Sequence, residues 1–201
     1  MPDVDDLLEF WFGELDEGLA DDAHRQRWFA PDQAFDDNCR QHYAPLLSRA
    51  REGELDLWCQ TPRGRLAYIV LCDQMPRNVY RGTADAYAWD GLALAAAAAG
   101  VRRGDDRKLG WDERCFFYMP FEHSEDLVDQ HTAVGLFSAL RDQSPGELRN
   151  ITGNYLRYAH QHRDIVERFG RFPHRNAVLG RTSTEAERAF VADGDGFGQS
   201  V

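Results

Sequence analysis

The chain has 201 residues, 43% hydrophobic and 28% charged, a balance that supports one domain with a sizeable core and excludes disorder, a collagen-like fibre or a disulfide scaffold. Its net charge of -11 sets the mean field against nucleic acid and anionic membranes, so neither is expected as the main partner. The longest apolar stretch, Leu92 to Val101, is mostly alanine and too short to span a bilayer.

Val4, Leu7, Leu8, Trp11 and Leu15 recur at helical spacing and predict an amphipathic first helix with Asp3 as its cap. Helices are expected next over Asp21 to Phe29 and Asp32 to Ala50, where Phe35, Cys39 and Tyr43 are spaced by four. Thr61 and Pro62 form a cap and a first-turn proline, and Leu66, Ile69 and Val70 open another helix that Pro76 is expected to kink or end. Thr83 is expected to cap an alanine-rich helix running toward Gly100, its small side chains allowing a close neighbour.

Two longer helices are expected over Phe121 to Leu140 and Glu147 to Phe169, the second ending at Gly170. An aperiodic stretch, Gly170 to Gly180, precedes a short helix whose Thr184 and Glu187 have capping-box spacing. The residues from Gly194 onward read as a frayed tail. No sustained alternation of β-branched residues appears, so the pattern predicts a single all-α domain of eight or nine helices. The aromatics Phe10, Trp11, Phe12, Trp28, Phe29, Phe116, Phe117 and Tyr118 read as core.

Charge is unevenly distributed. Between Met1 and Gln60 there are fifteen acidic residues and five arginines, whereas Arg157 to Arg181 carries six arginines, three histidines and two acids. Placing side chains at helical angles puts Asp73 and Arg77 on a core-facing stripe, four residues apart. On the expected Phe121 to Leu140 helix, Glu122, Asp126 and Asp129 share a face with Ala133, Leu136 and Leu140. His162 shares one with Tyr155, Tyr158, Ala159, Ile165 and Val166. Buried charges need counter-charges, and Arg171, His174, Arg175 and Asn176 lie in the basic stretch. Convergence of these groups is the expected polar centre.

That centre has three readings. The first is a pocket in which arginines hold a small anionic molecule or peptide. The second is a hydrolase or lyase acting on an anionic metabolite, with His162 or Asp126 as general base. The third is an ion network that only sets helix register. His123 is expected at the surface or a helix end, pointing away from Glu122. No HExxH, CxxC or EF-hand pattern accompanies the carboxylates and His162, so no metal is assigned, and no cofactor is implied. Four cysteines without paired spacing and an acidic start lacking signal-peptide features point to the cytoplasm. A homodimer stays open.

The segments Leu7 to Gly13 (LLEFWFG), Asp73 to Gly82 (DQMPRNVYRG), Tyr118 to Gln130 (YMPFEHSEDLVDQ) and Arg168 to Gly180 (RFGRFPHRNAVLG) closely resemble the bacterial domain-of-unknown-function 924 family. The resemblance covers about Val4 to Ala192. It implies antiparallel helix pairs layered as in tetratricopeptide-repeat proteins, and it brings no known activity or catalytic residue with it.

Overall fold

Caps written into the sequence open most of the helices. Asp3 accepts from the backbone of Asp5 and Asp6 to start α1 (Val4–Phe12), Asp21 starts α2 (Asp22–Arg27), and Asp32 starts α3 (Gln33–Arg51). Thr61 caps α4 (Pro62–Val79), whose first residue is the proline that such a position tolerates. The remaining helices are α5 (Asp90–Arg103), α6 (Trp111–Glu122), α7 (Leu127–Gln143), α8 (Arg149–Phe169) and α9 (Glu185–Ala192). The computed structural model describes residues 2–28 and 30–194. Within them the fold is all-α, with no strand beyond one isolated bridge between Asp16 and Leu19. Phe29 and all but the first residue of the expected tail lie outside the described residues.

Successive helices double back on one another. Arg40 of α3 bonds the carbonyl of Val79, and Tyr68 bonds that of Ala50, so α3 and α4 are antiparallel. Arg65 reaches the carbonyl of Ala96, and Arg77 reaches Asp90, which makes α4 and α5 antiparallel as well. Gln130 donates to the carbonyl of Glu122, and Arg114 to Gln143, completing the α6–α7 hairpin. The chain turns again at Ser144, whose hydroxyl meets that of Thr152, and lays α8 on α7 and parallel to α6. Layered hairpins are the arrangement the family resemblance implies.

Two helices have no solvent face. Every residue of α4 from Gly64 to Val79 is buried, as is every residue of α6 from Asp112 to Glu122. Surrounding them, Trp11, Phe12, Trp28 and Phe116 interlock edge to face at centroid distances of 4.6–5.7 Å, tying α1 and the α2–α3 junction to α6. A helix packed on all sides must place its polar residues inside the protein and pair them there. That requirement produces the site.

Of the kink or end expected at Pro76, the end does not occur: α4 continues to Val79, because neighbouring helices hold that turn on every side and only one ladder bond is lost. Two expectations are corrected. Thr83 heads a 3-10 turn over Ala84–Tyr87, and the alanine-rich helix starts at Asp90 instead. The expected helix over Phe121 to Leu140 is two helices, broken at His123 to Asp126. Among the described residues no helix is long and apolar enough to cross a membrane.

Candidate functional site

A cleft of about 550 Å³ opens between α2, the C-terminal half of α4, α6, α8 and the 174–175 turn. Its size falls in the range of small-molecule sites. Arg77, Glu122, His123, His162, His174 and Arg175 all line it.

The polar end is built outward from Asp73, which is 1% exposed. Its Oδ1 lies 3.3 Å from Arg77 Nη1 and 2.7 Å from His123 Nδ1, and Gln74 donates to its Oδ2. Burial opposes ionisation of Asp73, but Arg77, followed by His123, outweighs it and holds the carboxyl below the ordinary range. Arg77 in turn donates to both oxygens of Asp90, at 2.8 and 3.1 Å. Burial works against the Arg77 charge too, and Asp73 and Asp90 raise its pKa regardless.

His123 ends α6, as a helix-end residue is expected to, but its side chain points inward onto Asp73 rather than toward solvent. An ionised carboxylate at Nδ1 makes that nitrogen the N–H, which leaves Nε2 as the acceptor. Burial, then the Arg77 charge, push the ring's pKa down and keep it neutral. Its neighbour His162, 6.2 Å away between ring centroids, is organised in the same way. Nδ1 of His162 lies 2.8 Å from Glu122 Oε1 and 2.9 Å from the Tyr158 carbonyl, two acceptors that assign the proton to Nδ1. The cleft therefore carries two histidines oriented through Nδ1, one by a carboxylate of α4 and one by a carboxylate of α6.

Arg175 is the outlier. It is 6% exposed, and its nearest carboxylate oxygen, on the Asp90 already claimed by Arg77, is 3.6 Å away. Its Nε has no hydrogen-bond partner. The guanidinium is held instead between the rings of Tyr87 and Phe172, at 4.6 and 4.5 Å. Burial, then repulsion from Arg77, lower its pKa to about 10. Next to it His174 is depressed to about 3, first by burial and then by Arg175. The Arg175 charge favours a negative charge in the space it faces.

At the other end Asp112, fully buried, accepts from the Ala20 backbone at 2.9 Å and from the Tyr155 hydroxyl, with Arg25 Nε 3.6 Å away. Burial raises its pKa. Arg81 donates through Nε and Nη2 to the two oxygens of Asp36 at 2.7 and 2.9 Å. Arg81 is thus satisfied within the protein, while Arg25, 23% exposed in its side chain, donates to the Tyr155 hydroxyl at 3.4 Å.

The expected site residues separate into two sets. Asp73, Arg77, Glu122, His162, His174 and Arg175 are brought together. Asp126, Asp129, Arg171 and Asn176 are not. Asp126 is exposed and caps α7 through the Val128 amide, and Asp129 accepts from Ser124 in the same turn. The helix break therefore separates both from Glu122. Arg171 makes a two-point pair with Glu187, at 2.6 and 2.9 Å, and so pins α9. Asn176 is buried and donates to Ser183. Sequence reasoning missed Asp90, His123, Arg25 and Tyr155. Asp90 reads as the acidic first residue of a helix, and no local spacing links it to Arg77 or Arg175. Tyr155 does lie on the His162 face, which was a usable signal.

Residues 7–195 match the model of a family described as bacterial protein of unknown function (DUF924). A solved structure of a protein of unknown function, ATU0120 from Agrobacterium tumefaciens, is 39% identical, covers 95% of this chain and 97% of that one, and superposes with a TM-score of 0.80. No curated protein matches. The chain belongs to the DUF924 family.

Proposed function

We propose that this protein binds a small anionic molecule, a carboxylate or phosphate, at the polar end of the cleft. The observation that carries the reading is Arg175, a buried guanidinium with an unpartnered Nε and only a shared carboxylate 3.6 Å away. Leaving a buried charge under-compensated costs stability, and perturbed ionisable groups in clefts cluster at functional sites. Arg77, 9% exposed in its side chain, lines the same space and is fixed there by Asp73 and Asp90. A peptide ending in a carboxylate presents the same chemistry. Four unbridged cysteines, three of them buried, suit a reducing compartment and make a cytoplasmic location part of this reading.

The test is an NMR titration of the protein with inorganic phosphate and with acetate. Saturable shifts at Arg175 and His123 that Arg175→Gln removes, with the fold intact, are the expected result. Absence of shifts, or equal binding by the variant, overturns the reading.

A second reading, a hydrolase or lyase, is favoured by the His123–Asp73 pair. A neutral ring with Nδ1 committed to a carboxylate and Nε2 left as a base matches what proton abstraction from a bound anion or from water requires. His162, held by Glu122, is the companion acid or base. Asp126 is removed from this role by its exposed capping position. A screen over phosphate monoesters and hydroxy-carboxylates should find turnover that His123→Gln abolishes while phosphate binding persists. A His123→Gln variant with unchanged rate removes that residue from the mechanism.

A further inference from the structure

The anion site takes up one end of a cleft much larger than a bare anion, and the wall beyond it is apolar. Ile151, Tyr155, Tyr158 and His162 of α8 all line the cleft. Their spacing of four, three and four residues places them on one face of the helix. At 1.5 Å per residue that face runs for ~16 Å. It is continuous with the polar end, since Tyr158 sits one helical turn before His162 and gives its carbonyl to the His162 Nδ1. Met119 of α6 and Trp28 complete the apolar lining. Tyr158 is 45% exposed, a large ring left in water in a concave wall. Of the charged groups bordering this wall, Glu122 is paired with His162 at 2.8 Å, Arg25 stands 3.6 Å from Asp112, and Arg157 lies over the Tyr158 ring at 4.8 Å. Along this wall Ile151, Met119 and the rings of Tyr155 and Tyr158 offer apolar contact, with Asn154 and Arg25 among the polar groups of the same lining, whereas beside it Arg175 offers charge.

We propose that the ligand is an amphipathic anion, with a carboxylate or phosphate headgroup at Arg175 and an aromatic or alkyl body laid along Ile151, Tyr155 and Tyr158. This rests on the anion-binding reading and specifies its substrate class. The headgroup supplies the counter-charge that Arg175 lacks, and the body removes from water the ring face that Tyr158 leaves exposed.

Calorimetric titration with inorganic phosphate and with phenyl phosphate tests it. Burying a phenyl ring supports at least a tenfold gain, so phenyl phosphate is expected to bind that much more tightly. Tyr158→Ser and Ile151→Ser, with folding checked by circular dichroism, are expected to erase most of the gain and leave phosphate affinity unchanged. Equal affinities for the two probes in the intact protein overturn the amphipathic proposal and leave anion binding standing. So does a gain that neither wall variant reduces, because the ring then lies elsewhere. If neither probe binds, the anion reading falls and this proposal with it.

Discussion

His123 Nδ1 lies 2.7 Å from Asp73 Oδ1 and so joins the end of α6 to the interior of α4, the two helices with no solvent face. Because Asp73 also holds Arg77, and Arg77 also holds Asp90 at the start of α5, one buried carboxylate fixes three helices around the cleft. Positioning and stability are coupled at this residue.

Asp73→Asn is therefore expected to destabilise the protein by about 3–5 kcal/mol, the usual result of leaving a buried partner charge uncompensated. Arg77 retains Asp90, which places the loss toward the lower end. Urea denaturation measures it. A change below about 1 kcal/mol would show that the pair carries little of the packing.

Arg175 is expected to behave in the opposite way. Arg175→Met keeps an unbranched apolar stem between Tyr87 and Phe172 and removes a desolvated charge that Arg77 repels. Replacing a poorly compensated buried ion by an apolar group is often neutral or stabilising. Thermal unfolding of Arg175→Met should match or exceed that of the unsubstituted protein, while phosphate binding is lost. A fall of more than about 2 kcal/mol would make Arg175 a packing residue and withdraw the main support for the anion site.

The helix ends were legible because their causes are local. Asp3, Thr61 and Thr184 each cap the helix that follows them, as their spacing predicts. What was not legible follows from burial on all sides. An amphipathic stripe identifies a helix with a wet face, and α6, sealed from Asp112 to Glu122, has none. The periodicity of Glu122, Asp126 and Asp129 then carries across a break that Asp126 marks by capping α7. His123 was lost by the same error: on one continuous helix it points away from Glu122, but at the end of α6 it turns inward onto Asp73. Contacts such as Arg175 to Asp90 depend on how loops and helices meet, which no spacing within one element encodes.

Acid sensitivity is expected from the cleft histidines. The unfolded chain protonates them near pH 6.5, whereas the folded chain holds His174 neutral down to about pH 3 and His123 neutral below its ordinary range. Between these limits the unfolded state binds more protons, so stability is complete above pH 6.5 and declines as the pH falls toward 3. The slope is at most about 1.4 kcal/mol per pH unit for each histidine. Asp73, whose pKa is depressed, adds its own loss only below about pH 4, as its carboxylate protonates. Denaturant titrations at pH 5 and pH 7 should differ in the intact protein and by less in His174→Asn, where His123 alone of the two remains. An unchanged difference would place the acid-sensitive group elsewhere.

The close approach of α5 to the central helices provides a packing test away from the cleft. A methyl group added at Gly100 would stand 2.4 Å from Phe117 Cζ and 2.5 Å from Arg65 Cδ. Neither neighbour can yield freely. Phe117 is fully buried, and Arg65 is tied to Asp105 at 3.1 Å and to the Ala96 carbonyl at 3.2 Å. Alanine is the better helix former by ~1 kcal/mol, so the sign of Gly100→Ala reports which effect wins. Overpacking costs of about 1–3 kcal/mol predict a net loss of stability. Phosphate affinity should be retained, because Gly100 and Phe117 lie outside the cleft lining. A stabilised Gly100→Ala would mean that α5 moves outward to make room. Simultaneous loss of phosphate binding would show that α5, which supplies Asp90, transmits that movement to Arg77 and Arg175.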